Sequence, residues 1–270
     1  MTARSERIRT VDEFDLLAAA DSPLHAIDPR AKLLTVLLAV AVIASYPRHT
    51  VAGMAPLFLL PAAWLALGRV PLGFVLRRLL PALPFVLLMA IFNPLIDRAP
   101  LVEAGGIALS GGWISFASIL LRFLLGMSLA ILLVACTGFN TLCSALLRLH
   151  APRVFVVQLL LLYRYIFLLA DEARRVRLAY ALRSGGERAV ALPVAGSMLG
   201  QLLLRVMGRG QRIHQAMLGR GFTGDLPVRH TFRWHRRDTL FLLGWAVWII
   251  LARAVNIPDQ LGLFVIKALA

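Results

Sequence analysis

The run Val154-Phe-Val-Val-Gln-Leu-Leu-Leu-Leu-Tyr-Arg-Tyr-Ile-Phe-Leu-Leu-Ala170 is apolar enough to be weighed as a membrane span, and its downstream neighbour decides against it. From Asp171 to Arg237 the chain carries 13 arginines against four acidic residues, Asp171, Glu172, Glu187 and Asp225. If the run crossed, that basic segment would be exported, against the bias that keeps Arg and Lys on the cytoplasmic side. Five further runs are span candidates: Ala31–Tyr46, Val51–Leu67, Leu79–Ile96, Trp113–Cys136 and Thr239–Val255. Five crossings then place everything from about Thr137 to Arg237 inside, with its helices along or partly within the inner leaflet. The loop bearing Arg69, Arg77 and Arg78 falls inside on this count, and the two outer loops hold only Arg48 and Arg98 as basic residues.

Composition agrees with a membrane protein. Of 270 residues 59% are hydrophobic and 16% charged, with a mean hydropathy of +0.77, whereas soluble domains are roughly 45–50% apolar. The expected fold class is all-α: a polytopic membrane protein with about five transmembrane helices and long cytoplasmic coupling helices. It divides into a cytoplasmic segment (1–30), transmembrane helices 1–4 (31–136), a coupling-helix region at the inner leaflet (137–237), and the last transmembrane helix with a tail (238–270). Residues 1–28 are polar and show no signal-peptide pattern, so the N-terminus is expected in the cytoplasm. The formal charge of +15 comes from 29 basic residues, 27 of them Arg. Attraction to anionic lipid at the cytoplasmic face accounts for this without nucleic acid, for which no signature is present. Cys136 and Cys143 read as small hydrophobes in apolar helical sequence.

Within the spans, the first two runs are short and read as a tight helical hairpin joined by Pro47-Arg-His-Thr50. Pro81 and Pro84 predict a kinked entry to Leu79–Ile96. Arg122 lies inside the cleanest span, Trp113–Cys136, where it is expected to face protein or snorkel. Asn140–Leu149 reads as a short amphipathic helix stopped by Pro152. One long helix follows over Pro152–Leu182 and is ended by Gly185-Gly186. A second runs from about Glu187 to Leu218, interrupted by Pro193. Each has an apolar body, a basic end and a terminal arginine among small residues: Arg183 with Ser184, and Arg220 between Gly219 and Gly221.

The chemistry-bearing motifs are sparse. No nucleotide-binding Gly-rich loop, dense metal-ligand cluster or nucleophile triad is present, and the spans contain no carboxylate for ion coupling. The six histidines (25, 49, 150, 214, 230 and 235) are scattered. These absences turn attention to proteins that act through partners. A basic helix end at a membrane often does no more than favour the helix dipole and hold lipid headgroups. Two ends built alike suggest more, because a guanidinium fork makes bidentate bonds to carboxylates that Lys cannot reproduce.

Those segments resemble a family. Arg174–Ser184 and Gln215-Ala-Met-Leu-Gly-Arg-Gly-Phe-Thr-Gly-Asp-Leu-Pro227 look like the two Ala-Arg-Ser/Gly signatures of the transmembrane T component of energy-coupling factor (ECF) transporters. Asp21-Ser-Pro-Leu-His-Ala-Ile-Asp-Pro-Arg-Ala-Lys-Leu-Leu34 resembles the motif before that family's first span, and the nearest group is the CbiQ-like cobalt-transport one. Leu182 and Gly219 stand where the family has Ala. The resemblance implies a non-catalytic subunit of an ATP-driven importer in the bacterial inner membrane. Its coupling helices cross as an X on two ATP-binding-cassette ATPases, with Arg183 and Arg220 each docking in one of them. Ser184, Gly219 and Gly221 clear the approach. The apolar bodies Val154–Leu169 and Leu199–Leu204 grip a substrate-binding S component (CbiM-like), with a small accessory membrane subunit and membrane lipid as further partners. No cofactor and no metal site are implied in this chain, and the cargo is a transition-metal cation, cobalt before nickel. A vitamin such as biotin as cargo, an integral-membrane lipid-modifying enzyme, and a basic scaffold remain the alternatives.

Overall fold

The computed structural model describes residues 13–14, 16–18, 20, 22–47, 50–96, 100–104, 107–185, 191–223 and 234–254. Among them the element order is α1 (Pro29–Ser45), a 3-10 segment (Ala52–Phe58), α2 (Leu59–Gly68), α3 (Leu72–Leu79), α4 (Leu83–Ile96), β1 (Pro100–Ala104), β2 (Ile107–Ser110), α5 (Gly111–Thr137), α6 (Phe139–Arg148), α7 (Arg153–Arg183), α8 (Leu192–Leu218) and α9 (Arg236–Ala254). The all-α expectation holds for the body of the protein. The exception is the small antiparallel hairpin β1–β2, whose strands lead from α4 to α5.

Local chemistry explains most boundaries. Asp28 caps α1, its carboxylate accepting from the Arg30 N–H, and Pro29 takes the first helical position where no N–H is needed. The Val51–Leu67 run opens as a 3-10 segment containing Gly53 and Pro56 before it settles into α2. α3 and α4 meet at a bend of 61° across residues 80–82, where Pro81 falls. Gly138 (φ 76°) takes the left-handed backbone that separates α5 from α6. α8 starts at Leu192 rather than Glu187. Pro193 therefore lies in its first turn and interrupts nothing, as the fixed proline φ favours; residues 186–190 lie outside the described set.

The chain divides into two compact units. One holds Glu13–Ala145 with Phe232–Ala270, the other Leu146–Thr231. In the first, α1 packs chiefly on α5 and α9 rather than on α2, so the expected hairpin of the first two runs is not the main contact. Its core is Leu24, Met54, Leu57, Leu60, Trp64, Leu125, Leu129, Leu132 and Ile249, all essentially without solvent contact. Trp64 packs on Phe241 of α9 (6.1 Å between centroids).

Two polar knots tie this unit at opposite ends of α1. At its start, Asp238 accepts from the Asp28 N–H through Oδ1 (2.9 Å) and from the His235 N–H through Oδ2 (2.8 Å). One carboxylate thus closes the N-termini of both α1 and α9. Lys32 donates from Nζ to the Cys136 carbonyl (3.0 Å), placing an ammonium at the C-terminus of α5. Asp28, Lys32 and Asp238 are all buried, and each charge faces the helix end of opposite dipole sign. At the other end of α1, Arg122 of α5 donates to the Tyr46 (3.0 Å) and Pro47 (2.8 Å) carbonyls, so this arginine inside a span caps its neighbour helix. Tyr46 Oη donates to the Ala252 carbonyl and the Arg253 guanidinium lies 4.5 Å from the Tyr46 ring centroid. The start of α1, the end of α5 and the start of α9 therefore share one side of the unit.

By length and composition alone, α5 and α7 can each cross a membrane, and the bent pair α3–α4 is a third candidate. α1 and the Ala52–Gly68 stretch run to 17 residues each; α1 is about 25 Å long at 1.5 Å per residue and the other about 29 Å, its 3-10 part rising about 2.0 Å per residue, against a hydrocarbon core of about 30 Å. α9 is apolar between Arg236, Arg237 and Asp238 at one end and Arg253 at the other. The helices thus fall on the expected runs, while full spanning length is met by fewer than five of them, and α7 is among those that meet it.

Candidate functional site

Both motif arginines stand at the C-terminus of a long helix in the second unit, and both are exposed. Their surroundings differ. α7 ends at Arg183; the Ser184 N–H donates to the Tyr180 carbonyl (2.9 Å), and the backbone turns left-handed at Gly185 (φ 69°). α8 ends at Leu218 and turns left-handed at Gly221 (φ 77°), directly after Arg220. There the Gly221 N–H donates to Leu218 (2.9 Å) and the Phe222 N–H to Met217 (3.0 Å), the paired bonds of a Schellman ending. Arg220 is thus one residue before its turn and Arg183 two. With 3.6 residues per helical turn, the two guanidinium groups leave their helix ends at different azimuths to the turn that follows.

The small residues act in different ways. A side chain at Gly185 or Gly221 would meet nothing within 4 Å, so their requirement for glycine is conformational and comes from the positive φ. At Gly219 (φ −63°) an added Cβ would make ordinary contact with the Gln215 carbonyl at 3.5 Å. Nothing among the described residues demands glycine there, and its effect is to leave the flank of Arg220 bare. Ser184 Oγ turns back to donate to the Ala181 carbonyl (3.4 Å). Gly224–Pro227, the tail of the second signature, and Asp21 of the N-terminal one lie outside the described residues.

α7 and α8 meet near their middles. Arg205 of α8 donates from Nη1 to Glu172 Oε1 of α7 (2.8 Å), beside an open cleft of about 290 Å³. From this contact about 16 Å of α7 leads to Arg183 and about 22 Å of α8 leads to Arg220, at 1.5 Å per residue. The arginines are therefore carried on two arms of unequal length. On the other side of this contact from the arginines, the apolar bodies are uncovered. Val154, Phe155, Leu162 and Ile166 on α7 and Leu199, Leu203 and Leu204 on α8 are exposed, and α8 has no buried residue at all.

Among the described residues no group of three or more His, Cys, Asp or Glu side chains is placed to hold a metal ion. Cys136 and Cys143 are free, buried thiols, and burial pushes the Cys143 thiol up to about 11. His150 and His214 are exposed; His25 Nδ1 pairs with Ser22 Oγ (2.6 Å). His49 and His230 lie outside the described residues. The knot of Asp28, Lys32 and Asp238 is what sequence reasoning did not find. Asp28-Pro29 carries a local signal, as cap and first-turn proline, but no local pattern links Lys32 to positions 136 and 238.

Comparison with known proteins gives this arrangement a family. A family model described as CbiQ, cobalt transport protein, matches residues 20–234. The chain is 30% identical over 179 residues to the cobalt transport protein CbiQ of Salmonella typhimurium, covering 61% of this chain and 73% of that one. It is 27% identical over 266 residues to the energy-coupling factor transporter transmembrane protein EcfT of Staphylococcus aureus, covering 92% and 94%. The family model's match spans both long helices that lead to the exposed arginines, and the chain belongs to the CbiQ cobalt transport family as a transmembrane component of the energy-coupling factor type.

Proposed function

We propose that this chain couples ATP hydrolysis by two partner ATPases to a separate substrate-binding membrane subunit, for uptake of a transition-metal cation, cobalt before nickel. Arg183 and Arg220 are the docking residues, each entering an acidic groove on one ATPase. The observation that carries the reading is the pair of arms: two long helices joined through Glu172 and Arg205, each ending in an exposed arginine next to a left-handed turn. When the ATPases close on ATP the arm ends are drawn together, and the crossing relays the movement to the apolar bodies of α7 and α8. Those bodies are uncovered in the isolated chain, as surfaces that seat another membrane protein must be. The metal is cargo of the substrate-binding subunit. The relative that aligns over nearly the full chain is named for energy coupling and for no cargo, which favours specificity residing in the partner and keeps a vitamin as the second reading.

The membrane arrangement in this proposal has five crossings and a cytoplasmic N-terminus at the inner membrane, with residues 137–237 inside. Parity supports it. The end of α5 and the start of α9 meet at the same knot, so the stretch between them crosses an even number of times. α7 is apolar enough for one crossing, but α8 does not qualify for the return. Zero crossings also keeps the arginines inside.

Arg183→Lys and Arg220→Lys test the docking role, since Lys keeps the charge and loses the fork. The double variant is expected to reach the membrane at normal level while cobalt uptake and coupled ATPase activity fall at least tenfold. Undiminished uptake by the double variant refutes the proposal.

A further inference from the structure

The cleft where α7 meets α8 has a composition unlike either helix end. Arg205, Arg209 and Arg212 line it from α8, at spacings of four and three residues that place them on one helical face. Glu172 faces them from α7 and is paired with Arg205 at 2.8 Å. Arg209 and Arg212 have no carboxylate partner among the described residues. Gly208, one helical turn before Arg212, leaves the wall low: a Cβ there would lie 3.6 Å from Arg212 Nη1, so that guanidinium folds back over the glycine. Leu168, Leu169, Leu204 and Val206 supply the apolar lining, Leu204 being 72% exposed. The cleft therefore combines two uncompensated guanidinium groups with apolar surface that water covers poorly.

We propose that this cleft binds the headgroup of an anionic phospholipid of the inner leaflet, the phosphodiester between Arg209 and Arg212 and an acyl chain along Leu204 and Leu168. Two neighbouring guanidinium groups supply the charge-assisted donors that a phosphate oxygen set accepts. A free phosphate would satisfy the arginines and leave the leucines wet. An acidic protein surface would do the same, whereas an amphiphile covers both. The inference rests on the proposed placement of α7 and α8 at the membrane's inner face. It makes lipid a wedge where the coupling helices meet, at the edge of the apolar bodies that seat the substrate-binding subunit and apart from the ATPase contacts at Arg183 and Arg220.

The test uses the full chain in detergent micelles doped with equal amounts of phosphatidylglycerol and phosphatidylcholine, with bound lipid read by native mass spectrometry and no ATPase present. The wild type is expected to retain phosphatidylglycerol over phosphatidylcholine. Arg209→Gln/Arg212→Gln should lose about 25-fold in phosphatidylglycerol affinity, at about 5-fold for each basic residue near an anionic surface. Arg175→Gln/Arg177→Gln, exposed on α7 outside the cleft, should leave the preference for phosphatidylglycerol nearly unchanged, because neither guanidinium reaches a lipid seated in the cleft. Arg209→Lys/Arg212→Lys, which keeps the charge should the first pair fail to fold, should retain a preference for phosphatidylglycerol. Equal retention of the two lipids by the wild type, or equal loss in the cleft and control pairs, overturns the proposal. So does displacement by glycerol 3-phosphate at matched concentration, which would mark a site for the free anion. In a separate pull-down with the ATPases, loss of their binding by the cleft pair, with its lipid retention unchanged, would mark a protein surface and also overturn it. Because ATPases are absent from the lipid measurement, its failure leaves the docking role of Arg183 and Arg220 to stand or fall on transport alone.

Discussion

Replacing Asp238 by alanine removes a side chain that joins two helix N-termini. Its carboxylate accepts the Asp28 N–H at 2.9 Å and the His235 N–H at 2.8 Å, and it lies within electrostatic reach of the buried Lys32 ammonium. Hydrogen bonds to a charged acceptor are worth about 1.5–3 kcal/mol each, and stripping one partner from a buried ionic group costs about 3–5 kcal/mol. These overlap, since the same carboxylate supplies all of them, so the expected loss is about 3–5 kcal/mol in total. For a chain of this size each kcal/mol lowers the melting temperature by about 2–4 °C, giving a fall of about 10 °C. The assay is the monodisperse fraction on size exclusion after heating the purified protein in detergent. Lys32→Met alone should also destabilise, because it leaves Asp28 and Asp238 facing each other without the ammonium and frees the Cys136 carbonyl. The double variant should melt well above the sum of the single losses, since each substitution removes the charge that the other strands. An Asp238→Ala protein melting within about 1 °C of wild type, or losses that simply add, would refute the account of the knot as a mutually compensated cluster.

Three other outcomes can be checked directly. Gly221→Ala places a side chain at φ 77°, which costs about 1–2 kcal/mol locally. Since the helix end must then rearrange around Arg220, cobalt uptake should fall more than the melting temperature does, and Gly221→Asn should be the milder change. Gly68→Ala brings a Cβ to 2.7 Å from Cys136 Sγ, and should destabilise by about 1–3 kcal/mol as overpacking does; adding Cys136→Ala should restore much of the melting temperature, and no rescue would mean that the clash is not the cause. Cys143, whose burial pushes the thiol up to about 11, should react slowly with maleimide at pH 8 in a Cys136→Ala background. Its folded-state value lies above the ordinary one, so thiolate abundance grows about tenfold per pH unit right up to pH 10. A rate that levels off near pH 9 would contradict that environment.

The parts of this protein legible in its sequence are those governed by short-range or one-dimensional rules. Apolar runs located the helices, because a helix in lipid must satisfy its backbone within its own segment. Pro81 marked the bend between α3 and α4, and Gly185 and Gly221 marked the ends of the arginine-bearing helices, because φ preferences act at single residues. Pro193 misled for the same reason in reverse: its effect depends on whether it stands in the first turn or further in. The small hairpin β1–β2 falls in a stretch too short for periodicity to single out.

The arginine count between positions 171 and 237 is legible in the sequence alone, since charge bias depends on composition and needs no contacts. It could not say that α7 and α8 touch at Glu172 and Arg205, nor that Arg183 and Arg220 precede their turns by different distances. Least visible of all was the meeting of positions 28, 32, 136 and 238. A buried ammonium, two carboxylates and three helix ends compensate one another only once tertiary packing has excluded water from them, and no spacing along the chain encodes which ends will meet.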